Sequence, residues 1–277
     1  MRSTAVRVLA PPRWDTAALA GHLARLVAHR DLLVVLGQHR VNVRYKQSVL
    51  GGLWAVLQPL AMMLVFTLVF ARLVRVASDG IPYPLFAYAG LLPWTFFSTA
   101  VGNGTASLVT HAQLVRKVYF PREILPLSYL VASAVDLVIA SAALVGLVVW
   151  YRIPISVEIL MLVPAMAVLS AFAFACGLML SAIQVRFRDV AVALPVALQL
   201  WMFASPVLYP LSSVPADWRG LYLLNPLAGL VETFRRAVLG LPPDIGALAA
   251  SVGVTAVLLP VAYVVFKHVE ATVADVI

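Results

Sequence analysis

Residues 47–71 read QSVLGGLWAVLQPLAMMLVFTLVFA and contain 25 consecutive residues without a formal charge. As a helix rising about 1.5 Å per residue, this stretch would measure roughly 37 Å, which exceeds the roughly 30 Å of a bilayer's hydrocarbon core. Gly51-Gly52-Leu53-Trp54 stands at its start, and Arg72 and Arg75 follow its end. The stretch therefore predicts a tilted transmembrane helix.

The composition extends this prediction to the whole chain. Hydrophobic residues make up 62% of the 277 and charged residues only 12%, whereas a soluble domain is about 45–50% apolar and about 25% charged. We therefore predict an all-α integral membrane protein with six transmembrane helices. The other five are expected near residues 85–108, 124–150, 159–185, 190–209 and 245–266. Pro93-Trp94 and Gly102–Thr105 are expected to interrupt the second.

Two regions are apolar in part but do not read as spans. Residues 1–47 hold eight of the 20 basic residues, and Leu19, Leu23, Leu26, Val27 and Leu33 recur at helical spacing. That pattern predicts an amphipathic helix at the membrane interface, with a solvated tail as the alternative. Residues 221–230 are apolar but too short to span, and Asn225-Pro226 breaks them. They predict re-entrant or interfacial external helices between spans five and six.

The charge distribution predicts the orientation. Six spans place both termini on one side, and the loops on that side hold 14 of the 20 Lys and Arg residues. By the positive-inside rule both termini are cytoplasmic, in the plasma or inner membrane. The domain prediction is a cytoplasmic region at 1–47, a six-span domain at 48–267 and a cytoplasmic tail at 268–277. The net charge of +8 then reflects topology and contact with membrane lipids, not nucleic-acid binding.

One cytoplasmic loop differs from a simple solvated connection. Residues 114–126 read LVRKVYFPREILP and combine Arg116, Lys117, Arg122 and Glu123 with Tyr119-Phe120-Pro121. A solvated loop explains the positive charges, but exposed aromatic rings among arginines are typical of protein contacts. We therefore predict a docking surface for another protein.

The sequence offers no energy source of its own. A phosphate-binding P-loop needs a lysine directly after a glycine, but Lys46, Lys117 and Lys267 follow Tyr45, Arg116 and Phe266. Asp136 is the one ionisable residue inside a predicted span, which makes it a functional candidate. The alternative is a neutral or paired carboxyl at a helix contact. No sequence motif predicts a catalytic or metal site.

Aromatic residues are frequent in and near the predicted spans. The candidates for a channel lining are Trp54, Phe66, Phe70, Trp94, Phe97, Tyr129 and Tyr209. A ring-lined channel suits glycans, because the C–H face of a sugar packs on an aromatic ring. Ordinary packing, or a belt of rings at the membrane interface, is the alternative for each one.

Several motifs carry a resemblance to a known family. Arg44-Tyr45-Lys46-x-Ser48-x-Leu50-Gly51-x-x-Trp54-x-x-x-Gln58-Pro59 and the Leu114–Pro126 loop resemble the corresponding segments of ABC-2 type permeases. Arg186-x-Arg188-Asp189, Ser205-Pro206 with Tyr209, and Asn225-Pro226 are also similar. The resemblance covers about residues 30–267 and is strongest to the branch that exports polysaccharides, such as O-antigen and teichoic acid.

This resemblance implies a half-transporter. Two copies of the chain would form the channel for a lipid-linked glycan, and two separate ATP-binding subunits, holding ATP and Mg, would drive it; the chain itself would need no cofactor. The residues implied to contact the ATP-binding subunit are Arg116, Lys117, Tyr119, Phe120, Pro121, Arg122 and Glu123, with Arg186, Arg188 and Asp189 nearby.

Other roles and other functions stay open on the sequence alone. Arg40, Arg44 and Lys46 are candidates for receiving an anionic diphosphate head group at the cytoplasmic entrance, or they reflect topology alone. The alternative functions are an ABC-2 permease for a drug or another lipid, an integral-membrane enzyme acting on lipid-linked sugars, and a scaffold.

Overall fold

The computed structural model describes residues 28–276, apart from residues 47, 75 and 77, and this part of the chain is helical throughout its regular elements. The predicted amphipathic positions Leu19, Leu23, Leu26 and Val27 lie outside the described residues. The α-helices are α1 (Arg30–Tyr45), α2 (Leu53–Phe66), α3 (Tyr83–Thr110), α4 (Ala112–Lys117), α5 (Ile124–Trp150), α6 (Leu162–Arg186), α7 (Val190–Phe203), α8 (Ala216–Tyr222), α9 (Pro226–Val238) and α10 (Ile245–Val276).

Shorter elements complete the described chain. Helix α2 continues in wider π-helical geometry over Thr67–Val74, and 3₁₀ turns occupy Val157–Met161 and Leu211–Ser213. Gly51, at a φ of +50°, turns the chain between α1 and α2, a conformation that glycine adopts without steric cost.

Five helical segments of the described chain are long and apolar enough to cross a membrane: Leu53–Val74, Tyr83–Thr110, Ile124–Trp150, Val157–Arg186 and Ile245–Glu270. The core helix is α3, in which 78% of the most apolar stretch is buried, against 17–33% in the other four. Helices α5 and α6 pack on α3, and α10 packs on α6. The less buried helices expose apolar faces around this core.

The predicted interruptions of the second span are wrong, because α3 runs without a break from Tyr83 to Thr110. The hydroxyls of Thr95 and Thr105 each donate to a carbonyl one turn back, at 2.7 Å. Gly104 lies against Gly177 of α6. Its missing side chain therefore serves close helix packing inside the bundle, and the helix does not bend into a loop there.

The predicted fifth span at 190–209 is helical only over its first 14 residues. Helix α7 ends at Phe203 and its 14 residues extend only about 21 Å. Pro206, which has no N–H to donate, lies just beyond this end. The chain then continues as an unwound segment, residues 204–208, in which Ser205 and Val207 are completely buried.

The carbonyl groups of Phe203 and of the unwound segment are all satisfied inside the protein. The donors and acceptors are Tyr209 Oη to Phe203 O at 2.9 Å, Asn225 Nδ2 to Ala204 O at 3.2 Å, Val207 N to Ser205 O at 2.7 Å, Arg235 Nη2 to Pro206 O at 2.7 Å and to Val207 O at 2.8 Å, and Tyr83 Oη to Leu208 O at 2.9 Å. Irregular backbone is tolerated at membrane depth only with such internal partners.

The short helix α9 supplies one of these donors, Arg235, which makes two of the hydrogen bonds, and the helix is itself enclosed. Twelve of its 13 residues are buried, and Asn225 caps its start by accepting a hydrogen bond from Leu227 N at 3.2 Å. Arg235 pairs with Glu232 at 3.1 Å and lies 3.8 Å above the ring of Phe86. Sequence analysis expected a short element here with Asn225-Pro226 at a break, and the structure has α9 beginning at Pro226.

The last helix is longer than predicted. The last span was expected to end near residue 266, just before Lys267-His268, but α10 continues through Val276. Lys267 pairs with Glu270 one turn further on, at 2.7 Å, and also with Glu123. Because these charges have partners, the helix continues where charge alone predicted its end.

Candidate functional site

The two ends of the helix bundle are formed by different helices. The end of α3, all of α4, the start of α5 and the end of α6 meet at one end, which we call the loop end. The start of α3 and helices α8 and α9 lie at the other, which we call the far end. The candidate residues divide between the loop end, a cleft midway along α5, and the far end.

The predicted docking loop presents one exposed stretch at the loop end. Arg116 and Lys117 are exposed at the end of α4, and the extended residues Val118 and Tyr119 follow them. The side chain of Tyr119 is 87% exposed. We call Arg116–Tyr119 the basic–aromatic strip.

The second half of the same loop is anchored inside the protein. Phe120 is only 5% exposed and joins Val115 in a buried apolar cluster with α6 and α10. Glu123 is buried, pairs with Lys267 of α10 and accepts a hydrogen bond from Tyr263 Oη at 3.2 Å.

Arg122 extends this attachment along the same helix. Its Nη1 donates to the backbone carbonyl of Glu270 at 2.6 Å. The two halves of the loop are therefore different: one half is exposed, and the other fixes it to the end of α10. The structure gives Phe120, Arg122 and Glu123 contacts within the chain itself, and Pro121, which is partly buried, lies among them.

A second exposed group lies at the loop end. Arg186, Arg188 and Asp189 are exposed in the turn after α6, and Phe187 between them is 62% exposed. Val185, the residue before this turn, belongs to the same buried cluster as Phe120. The turn and the basic–aromatic strip therefore flank a shared apolar anchor.

The predicted entrance residues divide in a similar way. Helix α1 packs along the first half of α5, where Gly37 lies against Val131. The guanidinium of Arg40 lies 4.2 Å above the ring of Tyr129. Of the three candidates, Lys46 is exposed, whereas Arg40 and Arg44 contact α5.

Tyr129 also holds the end of α3. His111 Nε2 and Tyr129 Oη lie 3.1 Å apart. Burial, together with the charges of Arg40 and His39, lowers the pKa of His111 to about 4. His111 is therefore neutral at physiological pH, and it stacks on the ring of Tyr129 without adding a charge near Arg40.

Asp136, the one predicted intramembrane acid, has two partners from α1. Its carboxylate pairs with the guanidinium of Arg44 and accepts a hydrogen bond from the hydroxyl of Tyr45. Asp136 is the thirteenth of the 27 residues of α5. The interaction therefore fixes the end of α1 halfway along a membrane-spanning helix.

A cleft of about 350 Å³ opens beside this pair. Helices α1, α2, α3 and α5 line it, and its polar lining residues are Arg44, Tyr45, Gln58, Thr95, Thr99, Ser133 and Asp136. Besides Tyr45, its aromatic residues are Trp54, which is 53% exposed, and Phe96. We call it the Asp136 cleft. Sequence analysis proposed Arg44, Trp54 and Asp136 for three separate roles, and the structure brings them together.

The other aromatic candidates mostly pack within the chain. Trp94 and Phe97 are buried in α3, and Phe97 stacks on Phe172 with ring centroids 5.4 Å apart. Phe66 is buried and meets Phe70, which is partly buried, edge to face. Of the seven predicted lining residues, Trp54 is the one that the Asp136 cleft includes.

The far-end candidates form a structural junction. Asn225 accepts a hydrogen bond from Trp201 Nε1 at 3.0 Å and donates to Ser205 Oγ at 2.9 Å. Tyr209 Oη lies 2.8 Å from Tyr222 Oη. The carbonyl of Pro226 accepts from Ser251 Oγ at 2.8 Å.

Sequence analysis missed the groups that hold these sites together. Ser133, Arg235 and Lys267 have no unusual local pattern, although Glu232 and Arg235 show helical spacing, and Tyr45 stands in a family-like motif that does not indicate its partner. Their partners lie far away in the sequence, so only the fold reveals them. The part of the chain that the structure describes has no group of three or more His, Cys, Asp or Glu side chains placed to hold a metal ion.

Several known proteins are similar in sequence to this chain over most of its length. A family model described as ABC-2 type transporter matches residues 31–239. The O-antigen export system permease protein RfbA of Myxococcus xanthus is 35% identical over 246 residues, which cover 87% of this chain and 94% of that protein. RfbA of Klebsiella pneumoniae is 29% identical over 206 residues, 74% of this chain and 79% of the relative. The polysialic acid transport protein KpsM of Escherichia coli is 27% identical over 207 residues, 72% of this chain and 78% of the relative.

Proposed function

The chain belongs to the ABC-2 type transporter family, and from this premise we propose that two copies of it form the path by which an ATP-driven exporter moves a lipid-linked polysaccharide across the plasma membrane. The permease role follows from the family and from relatives that are O-antigen export permeases and a polysialic acid transport protein. The chain is a multi-span transport subunit of an ABC polysaccharide exporter, and it is not an enzyme.

ATP-binding subunits supply the energy. The observation that supports their site of contact with this chain is the exposure of the basic–aromatic strip. Arg116, Lys117 and Tyr119 are exposed together, and exposed tyrosine beside arginine is typical of protein interfaces. Phe120, Arg122 and Glu123 connect the strip to α10. A push on the strip would therefore reach the end of a membrane-spanning helix directly. ATP and Mg²⁺ would bind in the partner, and this chain would need no cofactor.

The turn at Arg186–Asp189 is a second contact in this proposal. It is exposed at the same end and shares the buried cluster that anchors Phe120. Lys46 is an exposed residue at which an anionic head group would approach.

A sixth crossing would be completed by α7 and the unwound segment. Helix α7 is too short to cross alone, but residues 204–208 extend it with every carbonyl satisfied internally. Six crossings would leave both termini in the cytoplasm. Helices α8 and α9 would then enter and leave the membrane from the outer face, as re-entrant elements at the exit of the path.

Pairing of two copies is supported by the apolar surface that one copy leaves exposed. On α7, Val192, Val196, Leu200 and Phe203 are exposed at helical spacing along one face. Membrane lipids and a second copy are the two apolar surroundings available to such a face. Among glycans, O-antigen and teichoic acid are the substrates we propose first.

Purification of the tagged full-length chain from its native host in mild detergent tests the coupling. We expect an ATP-binding subunit with a Walker A motif at near 1:1 stoichiometry by mass spectrometry. Arg116→Glu with Lys117→Glu should reduce its recovery at least about tenfold, equivalent to about 1.4 kcal/mol. Arg152→Glu, an exposed arginine at the far end, is the matched control. Recovery of no ATPase, even after crosslinking, would contradict the proposal.

A further inference from the structure

We propose that the Asp136 cleft binds a neutral sugar unit of the exported glycan. The inference rests on the proposed function, which brings a polysaccharide past this chain, and it adds a specific site for recognising it. The cleft measures about 350 Å³, within the roughly 300–1,000 Å³ typical of small-molecule sites. It lies beside Asp136, halfway along α5, where a polar lining has a cost unless it serves a polar ligand.

The first observation is a buried hydroxyl without a partner. Ser133 is 1% exposed, lines the cleft, and its Oγ makes no hydrogen bond. Other helical serines, such as Ser128 and Ser141, donate to a carbonyl of the preceding turn. A buried hydroxyl left unpaired costs about 1–3 kcal/mol. A ligand hydroxyl at the base of the cleft would remove that cost.

The second observation is a charge pair with hydrogen-bonding capacity to spare. Arg44 and Asp136 pair with each other, so their charges cancel within the cleft. A guanidinium carries five N–H groups, and one joins Arg44 to Asp136. The carboxylate accepts from Arg44 and Tyr45 and, with about four lone-pair sites, retains two. Spare donors beside spare acceptors match the vicinal hydroxyls of a pyranose.

The same pair makes the cleft a poor diphosphate site. A phosphate drawn to Arg44 would lie against the carboxylate of Asp136, and like charges at this distance repel strongly where water is scarce. Replacing Asp136 as the partner of Arg44 would leave that carboxylate unpaired, which is costly in a half-buried position. In this proposal Arg44 therefore binds sugar hydroxyls together with Asp136, and it does not receive the anionic head group.

The third observation is the ring at the mouth of the cleft. Trp54 is 53% exposed although it lines the cleft with the polar residues. The π face of an indole carries partial negative charge and attracts the weakly positive C–H face of a sugar. A pyranose stacked on Trp54 would direct hydroxyls toward Ser133, Arg44 and Asp136. An aromatic ring together with a few polar groups is the combination that orients a small ligand.

Saturation-transfer NMR on the full-length chain in lipid nanodiscs tests the site. The probes are the methyl pyranosides of glucose, galactose, mannose, rhamnose and N-acetylglucosamine, with inorganic pyrophosphate as the anionic probe. We expect at least one pyranoside to bind saturably. Trp54→Leu and Asp136→Asn should each raise its Kd at least about tenfold, equivalent to about 1.4 kcal/mol.

Two further variants keep the test decisive. Ser133→Ala removes a hydroxyl that has no partner in the structure, so it should fold normally and raise the Kd several-fold. Trp150→Leu removes an exposed tryptophan at the far end of α5 and should leave the Kd unchanged. Absence of binding by every pyranoside, wild-type binding by both Trp54→Leu and Ser133→Ala, or displacement of the pyranoside by pyrophosphate would each overturn the proposal.

The assay separates this inference from the proposed function. Binding in nanodiscs needs neither an ATP-binding subunit nor transport. If an ATPase co-purifies with the chain but no pyranoside binds, the sugar site fails and the exporter stands. If pyranosides bind and the variants weaken them while no ATPase associates, the sugar site stands and the exporter fails.

Discussion

Arg235→Met is expected to disrupt the far end of the bundle. Arg235 is buried, pairs with Glu232 at 3.1 Å and donates to the carbonyls of Pro206 and Val207 at 2.7 and 2.8 Å. Methionine fills similar apolar volume but donates no hydrogen bond. The variant therefore leaves a buried carboxylate and two buried carbonyls without the partner they have in the native chain.

The expected loss of stability follows from these contacts. Breaking a buried ion pair from one side costs about 3–5 kcal/mol, and each stranded carbonyl costs about 1–3 kcal/mol. Arg236 keeps its contact with Glu232 at 3.3 Å and recovers part of the first cost. We expect a net loss on the order of 5 kcal/mol, a large share of the roughly 5–15 kcal/mol that stabilises a typical domain.

The assay is thermal unfolding of the detergent-solubilised chain, followed by hydrogen exchange of the peptide at 203–209. Arg235→Met should lower the melting temperature sharply and speed exchange in this peptide. Arg236→Met is the matched control: it loses the ion pair of a partly exposed arginine with Glu232 and a hydrogen bond to the carbonyl of Pro242, which together are worth about 1–2 kcal/mol. Adding Glu232→Gln to Arg235→Met should restore part of the stability. Equal stability of the two arginine variants would refute the reasoning.

Three further predictions follow from other parts of the molecule. Lowering the pH from 6.5 toward 4 should destabilise the chain. Burial lowers the pKa of His111 from 6.5 to about 4, so over this range the unfolded state binds a proton that the folded state does not. A His111→Gln variant with the same dependence of melting temperature on pH would contradict this. Tyr119→Asp should reduce recovery of the ATP-binding subunit and leave the melting temperature unchanged. Phe120→Asp should lower the melting temperature, since Phe120 is buried. The reverse pattern would mean that Phe120 contacts the partner and Tyr119 anchors the loop. Gly229→Ala should destabilise the chain, because a Cβ there would collide with the backbone carbonyl of Ala247. Gly253→Ala is the control: its Cβ would meet nothing within 4 Å, so it should be neutral or slightly stabilising. Equal melting temperatures of the two variants would refute the packing argument.

Apolar length was enough to predict most of the spanning helices. The helices at 53–74, 124–150 and 157–186 follow from runs that are long, apolar and nearly free of charge. Their boundaries were less predictable where charges find distant partners. Lys267 does not end α10, because Glu123 of the loop, 144 positions earlier, lies against it.

The unwound segment shows the same limit at its clearest. Ser205-Pro206 reads as a weak break inside an apolar run, and nothing local says that the backbone there is buried. Its carbonyls are satisfied by Asn225 and Arg235, some 20–30 positions later. Gly90 makes room for this arrangement, because a Cβ there would lie 2.5 Å from both Arg235 Nη2 and Val207 O.

The candidate site was predicted as residues but not as a site. The sequence made Arg44, Trp54 and Asp136 candidates for separate reasons: a basic charge, an aromatic ring and an acid in a predicted span. Arg44 and Asp136 are 92 positions apart, so their pairing needed the packing of α1 on α5. Ser133 had no sequence signal at all, because only the structure shows a serine that lacks the usual hydrogen bond.

Depletion of the chain in its native host tests the central claim most directly. Surface polysaccharide and the lipid-linked glycan retained inside the cell would be quantified together, before and after depletion. The account predicts that surface polysaccharide falls while the internal lipid-linked glycan accumulates, and that the wild-type chain restores both. Unchanged surface polysaccharide after depletion, with no internal accumulation, would contradict the conclusion that this chain is the export permease.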